Sequence, residues 1–315
     1  MTASIPTTEA AAGFLFPGQG AQRIGMGTEL EAYYATARTR FDEAAKQLGF
    51  SLRDLCANGP EAVLNQDVNA QLALYVVSCI ITDILREENI TAGYSTGYSS
   101  GFYAAAYAAG CFDFVDGLSM VRDAGEILLE AGRHIDGGMA VIFGLSADHV
   151  LDIIPKNKHV GIAIQNTPRQ IVLSGTQPHL QNVMDTAVRE GALDAYLLPV
   201  GTAYHSSFMR AAGQRFFKTV HKKNLRPPRI PLYSYATLKR ITDTNDLRDT
   251  LAGQLSRPVL WVDLIKKLRH NHHSRMVEIG SGTLISRTVR WIDRTIAIMN
   301  TDTVENLRKV VRRLA

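Results

Sequence analysis

Residues 93–101 of this chain read Gly-Tyr-Ser-Thr-Gly-Tyr-Ser-Ser-Gly and contain two overlapping G-x-S-x-G matches, centred on Ser95 and Ser99. The pattern is typical of a sharp turn from a strand into a helix. Small residues two before and two after the serine relieve crowding, and its Oγ projects at the helix N-terminus. A Gly/Ser turn without chemistry fits the pattern equally well when it is taken alone.

The flanking sequence favours Ser99 as the exposed serine. An extended segment, 94–98, precedes it, and an Ala-rich helical segment, about 100–109, follows it. If Ser95 were the nucleophile, two glycines would lie inside that helix, each costing about 1 kcal/mol relative to alanine. The sequence therefore predicts a strand, a turn at Ser99 and a helix.

Two further segments carry candidate catalytic groups. The apolar strand 14–16 is followed by Pro17-Gly18-Gln19-Gly20, in which Gln19 lies on a backbone that can approach a ligand closely. Gln19 could donate to an oxyanion, although a solvated Gln in a Pro-Gly turn is the simpler interpretation. The other segment is Ala-Tyr-His-Ser-Ser at 203–207, with His205 at a predicted junction where clefts form.

The segment between Gly137 and the histidine has its own organisation. Strands are predicted over 139–145, 160–165, 170–174 and 195–200, with helices over 147–154 and 179–190. The order β-α-β-β-α-β is that of the ferredoxin-like split motif. Outside it, strand–Gly turn–helix units recur and predict a largely parallel sheet covered on both faces. We therefore expect an α/β fold with one body, 13–136 and 203–315, and an inserted subdomain, 137–202.

Composition restricts the class of protein. The chain has 315 residues, 46% hydrophobic and 20% charged, and a formal net charge of +4, too mild for a nucleic-acid binder. Three dispersed cysteines argue against a disulfide framework. The cluster His270, His272 and His273 lacks nearby cysteine or carboxylate ligands, so no metal site is expected. Without a signal peptide or a long uninterrupted apolar stretch, we expect a cytoplasmic protein with no membrane span.

Together the motifs resemble the malonyl-CoA:acyl-carrier-protein transacylase family, which also supplies acyltransferase domains of fatty-acid and polyketide synthases. The similarity covers nearly the whole chain. The matching segments are FPGQGAQ at 16–22, GYSSG at 97–101, IQNTPRQIVLSG at 164–175, AYHSS at 203–207, QLSRPVLW at 254–261 and VEIGSGTLISRTVR at 277–290. The resemblance implies an α/β-hydrolase-like core with the ferredoxin-like insertion.

The resemblance also implies catalytic roles. Ser99 would attack a thioester and form an acyl-enzyme, and His205 would take its proton and later activate the incoming thiol. The backbone carbonyl of Gln254 would orient His205. The backbone N–H groups of Ser100 and Gln19 would form the oxyanion hole, with the Gln19 side chain supporting the site.

Five residues are expected at the substrate: Tyr98, Phe102, Ala124, Asn166 and Tyr204. Three of them depart from the family. Tyr98 replaces the usual histidine before the serine, Phe102 replaces a glutamate, and Ala124 replaces the arginine that pairs with the malonyl carboxylate. The last two departures predict an apolar pocket rim.

The nearest arginine does not replace the missing one. Arg122 lies two residues before Ala124, roughly 200° around a helix, so it should point elsewhere. A free carboxylate buried without a partner is costly. The sequence therefore predicts that the preferred acyl group is not malonyl.

Several functions stay open on the sequence. The first is transfer of an acyl group from acyl-CoA or acyl carrier protein to the phosphopantetheine thiol of an acyl carrier protein, without a metal or redox cofactor. The second is hydrolysis of acyl carrier protein thioesters by the same serine and histidine. Ordinary malonyl transfer and a catalytically inactive carrier-docking scaffold are the others.

Overall fold

A computed structural model of the chain describes residues 11–156, 159–271 and 275–315. The strands are β1 (Gly13–Phe16), β2 (Tyr94–Gly97), β3 (Gly137–Phe143), β4 (Val160–Thr167), β5 (Gln170–Thr176), β6 (Asp194–Leu197), β7 (Leu232–Tyr233), β8 (Arg240–Ile241), β9 (Arg275–Glu278) and β10 (Ala297–Asn300). The helices are α1 (Ala35–Leu48), α2 (Leu52–Asn58), α3 (Glu61–Leu64), α4 (Asp67–Glu87), α5 (Gly101–Ala108), α6 (Phe114–Gly132), α7 (Ala147–Ile153), α8 (Gln177–Arg189), α9 (Arg210–His221), α10 (Thr244–Gly253), α11 (Trp261–His270), α12 (Leu284–Ile292) and α13 (Val304–Leu314).

The larger sheet has the strand order β10-β9-β1-β2-β7-β8. Every pairing in it is parallel except that of β7 with β8. All four residues of β1 and of β2 are buried, as expected for central strands covered by helices on both faces. The carboxyl ends of β1 and β2 lie side by side, with Phe16 paired to Gly97. The two segments that follow these strands, with Gln19 and Ser99, are therefore neighbours.

The smaller sheet is antiparallel and has the order β4-β5-β3-β6. This is the strand order of the ferredoxin-like motif, so the predicted fold class is confirmed. Its strands alternate: Ala140 and Ile142 of β3 pack in the subdomain's own core, whereas Met139 and Val141 face the other way. The division at 136/137 and 202/203 stays a proposal, supported by this separate sheet and core.

Helix α4 forms the centre of the larger body. It is apolar nearly all round, and 89% of its most apolar 18-residue window is buried. By length and composition alone this helix could cross a membrane, but such burial is typical of a core helix in a globular fold. Its first turn, beginning at Asp67, emerges beside the carboxyl ends of β1 and β2 and reaches the site described next.

Candidate active site

The turn at Ser99 is held by close backbone contacts. Ser99 has φ of 53°, a left-handed conformation that is uncommon for a non-glycine residue. A Cβ on Gly97 would lie 2.2 Å from the carbonyl carbon of Gly101, and one on Gly101 would lie 2.2 Å from the carbonyl oxygen of Phe16. The small residues that flank Ser99 are therefore required by sterics, as the motif predicts.

The loop after β1 lies directly against this turn. The backbone amide of Tyr98 donates to the Phe16 carbonyl at 2.9 Å. A Cβ on Gly18 would approach the Tyr98 carbonyl oxygen to 2.4 Å, so glycine is needed there as well. This close approach places the Gln19 backbone beside the N-terminus of α5.

Ser99 and His205 form a hydrogen bond. The distance from Ser99 Oγ to His205 Nε2 is 2.8 Å, and His205 Nδ1 lies 3.0 Å from the backbone carbonyl oxygen of Arg257. A carbonyl only accepts, so Nδ1 carries the proton and Nε2 is left to accept from the Ser99 hydroxyl. The imidazole is therefore in the tautomer that a general base requires.

The orienting carbonyl was predicted at Gln254, and the structure adds that of Arg257, which lies nearer to Nδ1. The chain after α10 continues in a helical turn, with the Arg257 amide donating to Gly253 at 2.9 Å. Carbonyls three residues apart in such a turn share one side, so both reach the imidazole region. The Arg257 carbonyl accepts from Nδ1, and that of Gln254 contributes more weakly to the pKa of His205.

A carboxylate that the sequence analysis missed joins the loop after β1 to the segment that carries His205. Gln19 Nε2 donates to Asp67 Oδ1 at 2.5 Å, and the Tyr204 hydroxyl donates to Asp67 Oδ2 at 2.5 Å. The Gln71 amide lies 3.5 Å from Gln19 Oε1. The Gln19 side chain is thus fixed by Asp67 and Gln71. The sequence signal, an Asp four residues before Gln71 at the start of an apolar helix, was too common to single out.

Tyr98 links the elbow to the smaller sheet. Its hydroxyl donates to Asn166 Oδ1, and its ring packs edge-on against Trp261 at a centroid distance of 5.4 Å. Both Tyr98 and Asn166 line the cleft, as does Tyr204. These three residues lie where the sequence placed them.

The cleft itself lies between the elbow, the first turn of α4, α6 and the face of the smaller sheet that turns away from its own core. Its volume is about 930 Å³. Its apolar wall is formed by Leu128, Leu129, Met139, Val141, Ile164, Val172, Leu198 and Val200. No lysine or arginine of the described residues lines it, and Asp67 is its carboxylate.

Comparisons with known proteins identify the family of this chain. The acyl transferase domain family matches residues 13–301. The chain belongs to this family. It is 33% identical over 299 residues to the malonyl CoA-acyl carrier protein transacylase of Bacillus subtilis, covering 93% of this chain and 94% of that protein. It is also 33% identical over 291 residues to the polyketide biosynthesis transacylase PksC of Bacillus subtilis, covering 91% and 98%.

Solved structures show the same fold. The malonyl-CoA:acyl carrier protein transacylase FabD of Xanthomonas oryzae superposes on this acyl transferase with a TM-score of 0.93 at 27% identity, covering 98% and 99% of the chains. The malonyl-transacylase PlMCAT, solved in complex with its type II polyketide synthase carrier protein AntF, gives 0.91 at 25% identity, covering 96% and 99%. The acyl transferase is therefore an enzyme with the α/β-hydrolase-like core and ferredoxin-like subdomain that the sequence predicted.

Two substrate-site predictions for this acyl transferase were wrong in detail. Phe102 is fully buried in α5, with its ring edge-on to Tyr235 at 6.1 Å, and Tyr103 lines the cleft instead. Consecutive helix residues point about 100° apart, so Tyr103 can face the cleft while Phe102 packs in the core. Ala124 is also buried and does not line the cleft, whereas Leu128, one turn later in α6, does.

The described residues of the acyl transferase contain no group of three or more His, Cys, Asp or Glu side chains placed to hold a metal ion. Of the histidine cluster noted in the sequence, His272 and His273 lie outside the described residues. The three cysteines are buried and unpaired.

Burial sets the protonation of His205 in this acyl transferase. Desolvation lowers the pKa of His205 from 6.5 to about 4, against the opposing effect of the Arg257 and Gln254 carbonyls. Only neutral Nε2 accepts a proton, so acylation of Ser99 should be constant from neutral pH down to about 5 and fall as pH drops through about 4. The single-turnover rate of acyl-enzyme formation against pH measures this.

The same pKa shift affects folding. Because the unfolded chain binds a proton at a pKa near 6.5 and the folded His205 only near 4, protein stability falls as pH decreases across that window. Circular dichroism at each pH shows whether the protein is still folded, which distinguishes unfolding from protonation of His205. If the acylation rate instead fell near pH 6.5 while the protein stayed folded, His205 would not have the lowered pKa.

Proposed function

We propose that this enzyme moves an acyl group from a CoA or carrier-protein thioester to the phosphopantetheine thiol of an acyl carrier protein through an acyl-serine intermediate on Ser99. The observation that carries the proposal is the 2.8 Å contact between Ser99 Oγ and His205 Nε2, with Nδ1 held by the Arg257 carbonyl. This arrangement can deprotonate the serine and return the proton to a leaving thiol.

In the first half-reaction, Ser99 Oγ attacks the thioester carbonyl and its proton passes to His205 Nε2. The tetrahedral intermediate collapses by breaking the C–S bond, and the proton on His205 goes to the departing thiolate. In the second half-reaction, His205 takes the proton of the carrier thiol, which attacks the acyl-serine. Breaking the ester C–O bond returns that proton to Ser99 Oγ, so the enzyme is regenerated without a cofactor.

The oxyanion hole is proposed at the backbone amides of Ser100 and Gln19. The amides of Gly101, Phe102 and Tyr103 already donate to carbonyls within the turn, whereas Ser100 directly follows the nucleophile at the start of α5. The helix N-terminus adds its partial positive charge at this point. Each such donor is typically worth about 2.7–4 kcal/mol in the transition state.

The acyl group is proposed to be neutral. The described lining of the cleft offers an apolar wall but no lysine or arginine to pair with a free carboxylate. An unpaired carboxylate in such a cleft would lose hydration without a compensating partner. The relatives named malonyl CoA-acyl carrier protein transacylases show that a dicarboxylic acyl group is the main alternative.

The proposed partner is an acyl carrier protein. Relatives carry that partner in their names, and one structural neighbour was solved in complex with a carrier protein. The formal net charge of +4 favours an acidic partner over a basic one. A cytoplasmic location stays a prediction.

The test is intact mass of the purified enzyme after incubation with malonyl-CoA, acetyl-CoA and isovaleryl-CoA, with and without holo acyl carrier protein. We expect a Ser99-dependent adduct from the neutral donors that moves to the carrier. Isovaleryl has an uncharged branched terminus where malonyl has its carboxylate, so the pair compares charge at similar size. Malonyl adducts forming faster than isovaleryl adducts would contradict a neutral acyl group. Release of free acid with the carrier unloaded would establish hydrolysis instead.

A further inference from the structure

We infer that Asp67 is a specificity-determining residue whose fixed charge disfavours acyl groups with a free carboxylate. The inference deepens the proposed function, on which its meaning for the reaction rests. It goes beyond the missing arginine, because absence of an attractive charge and presence of a repulsive one are different properties of a cleft.

Two hydrogen bonds hold the Asp67 carboxylate at a fixed place. Gln19 Nε2 and the Tyr204 hydroxyl each donate to a different carboxylate oxygen at 2.5 Å. Asp67 is also the first residue of α4, where the helix dipole favours a negative charge. Burial, and after it the charge of Asp67, raises the pKa of the Tyr204 phenol, so Tyr204 stays a donor.

The first turn of α4, which carries Asp67, packs on the part of α6 where the family's arginine would be. Val68, the neighbour of Asp67, packs so closely on α6 that a Cβ on Gly125 would lie 3.1 Å from Val68 Cγ2. Asp67 and Val68 both line the cleft, and Ala124 immediately precedes Gly125. The resemblance implies a cation in the cleft, whereas the described lining of this cleft offers an anion, Asp67, and no cation.

The charges around Asp67 do not cancel it. Of the described residues that line the cleft, His205 is the other group that could carry charge below neutral pH, and burial keeps it neutral. A malonyl group entering the cleft would meet a like charge, in surroundings that screen less than water. The same cleft imposes no such cost on a neutral acyl group.

Binding rather than turnover tests this. We would measure the Kd of malonyl-CoA and isovaleryl-CoA by calorimetry for the Ser99→Ala protein and for the same protein with Asp67→Asn. The CoA portion is common to both ligands, so its contribution cancels in the ratio of the two Kd values. We expect Asp67→Asn to shift this ratio about tenfold toward malonyl-CoA, the size of a like-charge repulsion in partly solvated surroundings.

The matched control is Asp249→Asn, the same charge change at an exposed position in α10 that does not line the cleft. It should leave the ratio unchanged. A ratio unaffected by Asp67→Asn would overturn the inference. If that variant does not fold, a salt titration of the Ser99→Ala protein replaces it. Salt should then favour malonyl-CoA over isovaleryl-CoA, and a salt-independent ratio would overturn the inference.

The Kd values are measured in the Ser99→Ala protein, so they can be interpreted even if Ser99 never forms an acyl-enzyme. Failure of the proposed function would appear as no adduct in native enzyme. Failure of the Asp67 inference would appear as an unchanged ratio of Kd values.

Discussion

Replacing Ser99 by alanine is expected to remove the acyl-enzyme and to lower acyl transfer by roughly 10⁴-fold or more, as for other serine nucleophiles activated by histidine. The physical reason is that no other hydroxyl is hydrogen-bonded to His205 Nε2 in the described residues. The readouts are the mass of the protein after incubation with an acyl donor and the rate at which holo carrier protein is loaded.

The matched control lies in the same motif. Ser95, the centre of the other G-x-S-x-G match, is buried in β2, and its hydroxyl donates to the Ala105 carbonyl at 3.1 Å. Ser95→Ala should lose about 1 kcal/mol of stability and keep acyl transfer within a few fold. If Ser95→Ala abolished the adduct and Ser99→Ala retained it, the assignment of the nucleophile would be wrong.

The parts of this site that could be predicted are those fixed by local sterics. The serine turn and the loop after β1 need small residues at set positions, and the close contacts at Gly97, Gly101 and Gly18 show why. The strands of the smaller sheet could also be predicted, because their successive residues point to two opposite apolar faces and turn residues separate the strands.

The parts that could not be predicted depend on residues far apart in the chain. Asp67 meets Gln19 and Tyr204 only after the start of α4 is packed beside both loops. Likewise, the choice of Arg257 over Gln254 depends on how the chain turns after α10. Neither contact has a local spacing that marks it, so the sequence indicated the segment around Gln254 but not the contribution of the Arg257 carbonyl.

The side-chain directions in α5 and α6 were the other failure. The departures at Phe102 and Ala124 were predicted to shape the pocket directly, but both side chains are buried away from it. A match to a family motif indicates which helix borders the substrate cleft. Which side chain of that helix faces the cleft depends on the rotation of the helix about its axis. The cleft's charge is therefore better judged from its whole lining than from one substituted position.

Replacing Gly101 by alanine is expected to destabilise the fold by about 2–4 kcal/mol and to lower acyl transfer by about 10²-fold. Helix propensity alone predicts the opposite sign, because alanine in a helix is favoured over glycine by about 1 kcal/mol. At this position, however, the added Cβ would lie 2.2 Å from the Phe16 carbonyl oxygen and 2.7 Å from that of Pro17. Both are backbone atoms of a central strand and its loop, so they cannot move aside cheaply.

Activity should fall with stability because the displaced atoms precede Gln19, whose backbone amide is a proposed oxyanion donor. Moving Phe16 and Pro17 away from α5 shifts the Gln19 backbone relative to Ser99, and a displacement of about 1 Å near a reacting centre can cost about 10²-fold. Urea denaturation and single-turnover acylation of the folded variant measure the two effects separately.

The control is Gly161→Ala in β4, where a new Cβ would meet no atom within 4 Å. That change should be neutral or slightly stabilising, since alanine restricts the unfolded chain more than glycine does. A Gly101→Ala protein as stable and active as Gly161→Ala would mean that β1 and α5 lie farther apart than the structure places them. The conclusion that this close contact aligns Gln19 with Ser99 would then be wrong.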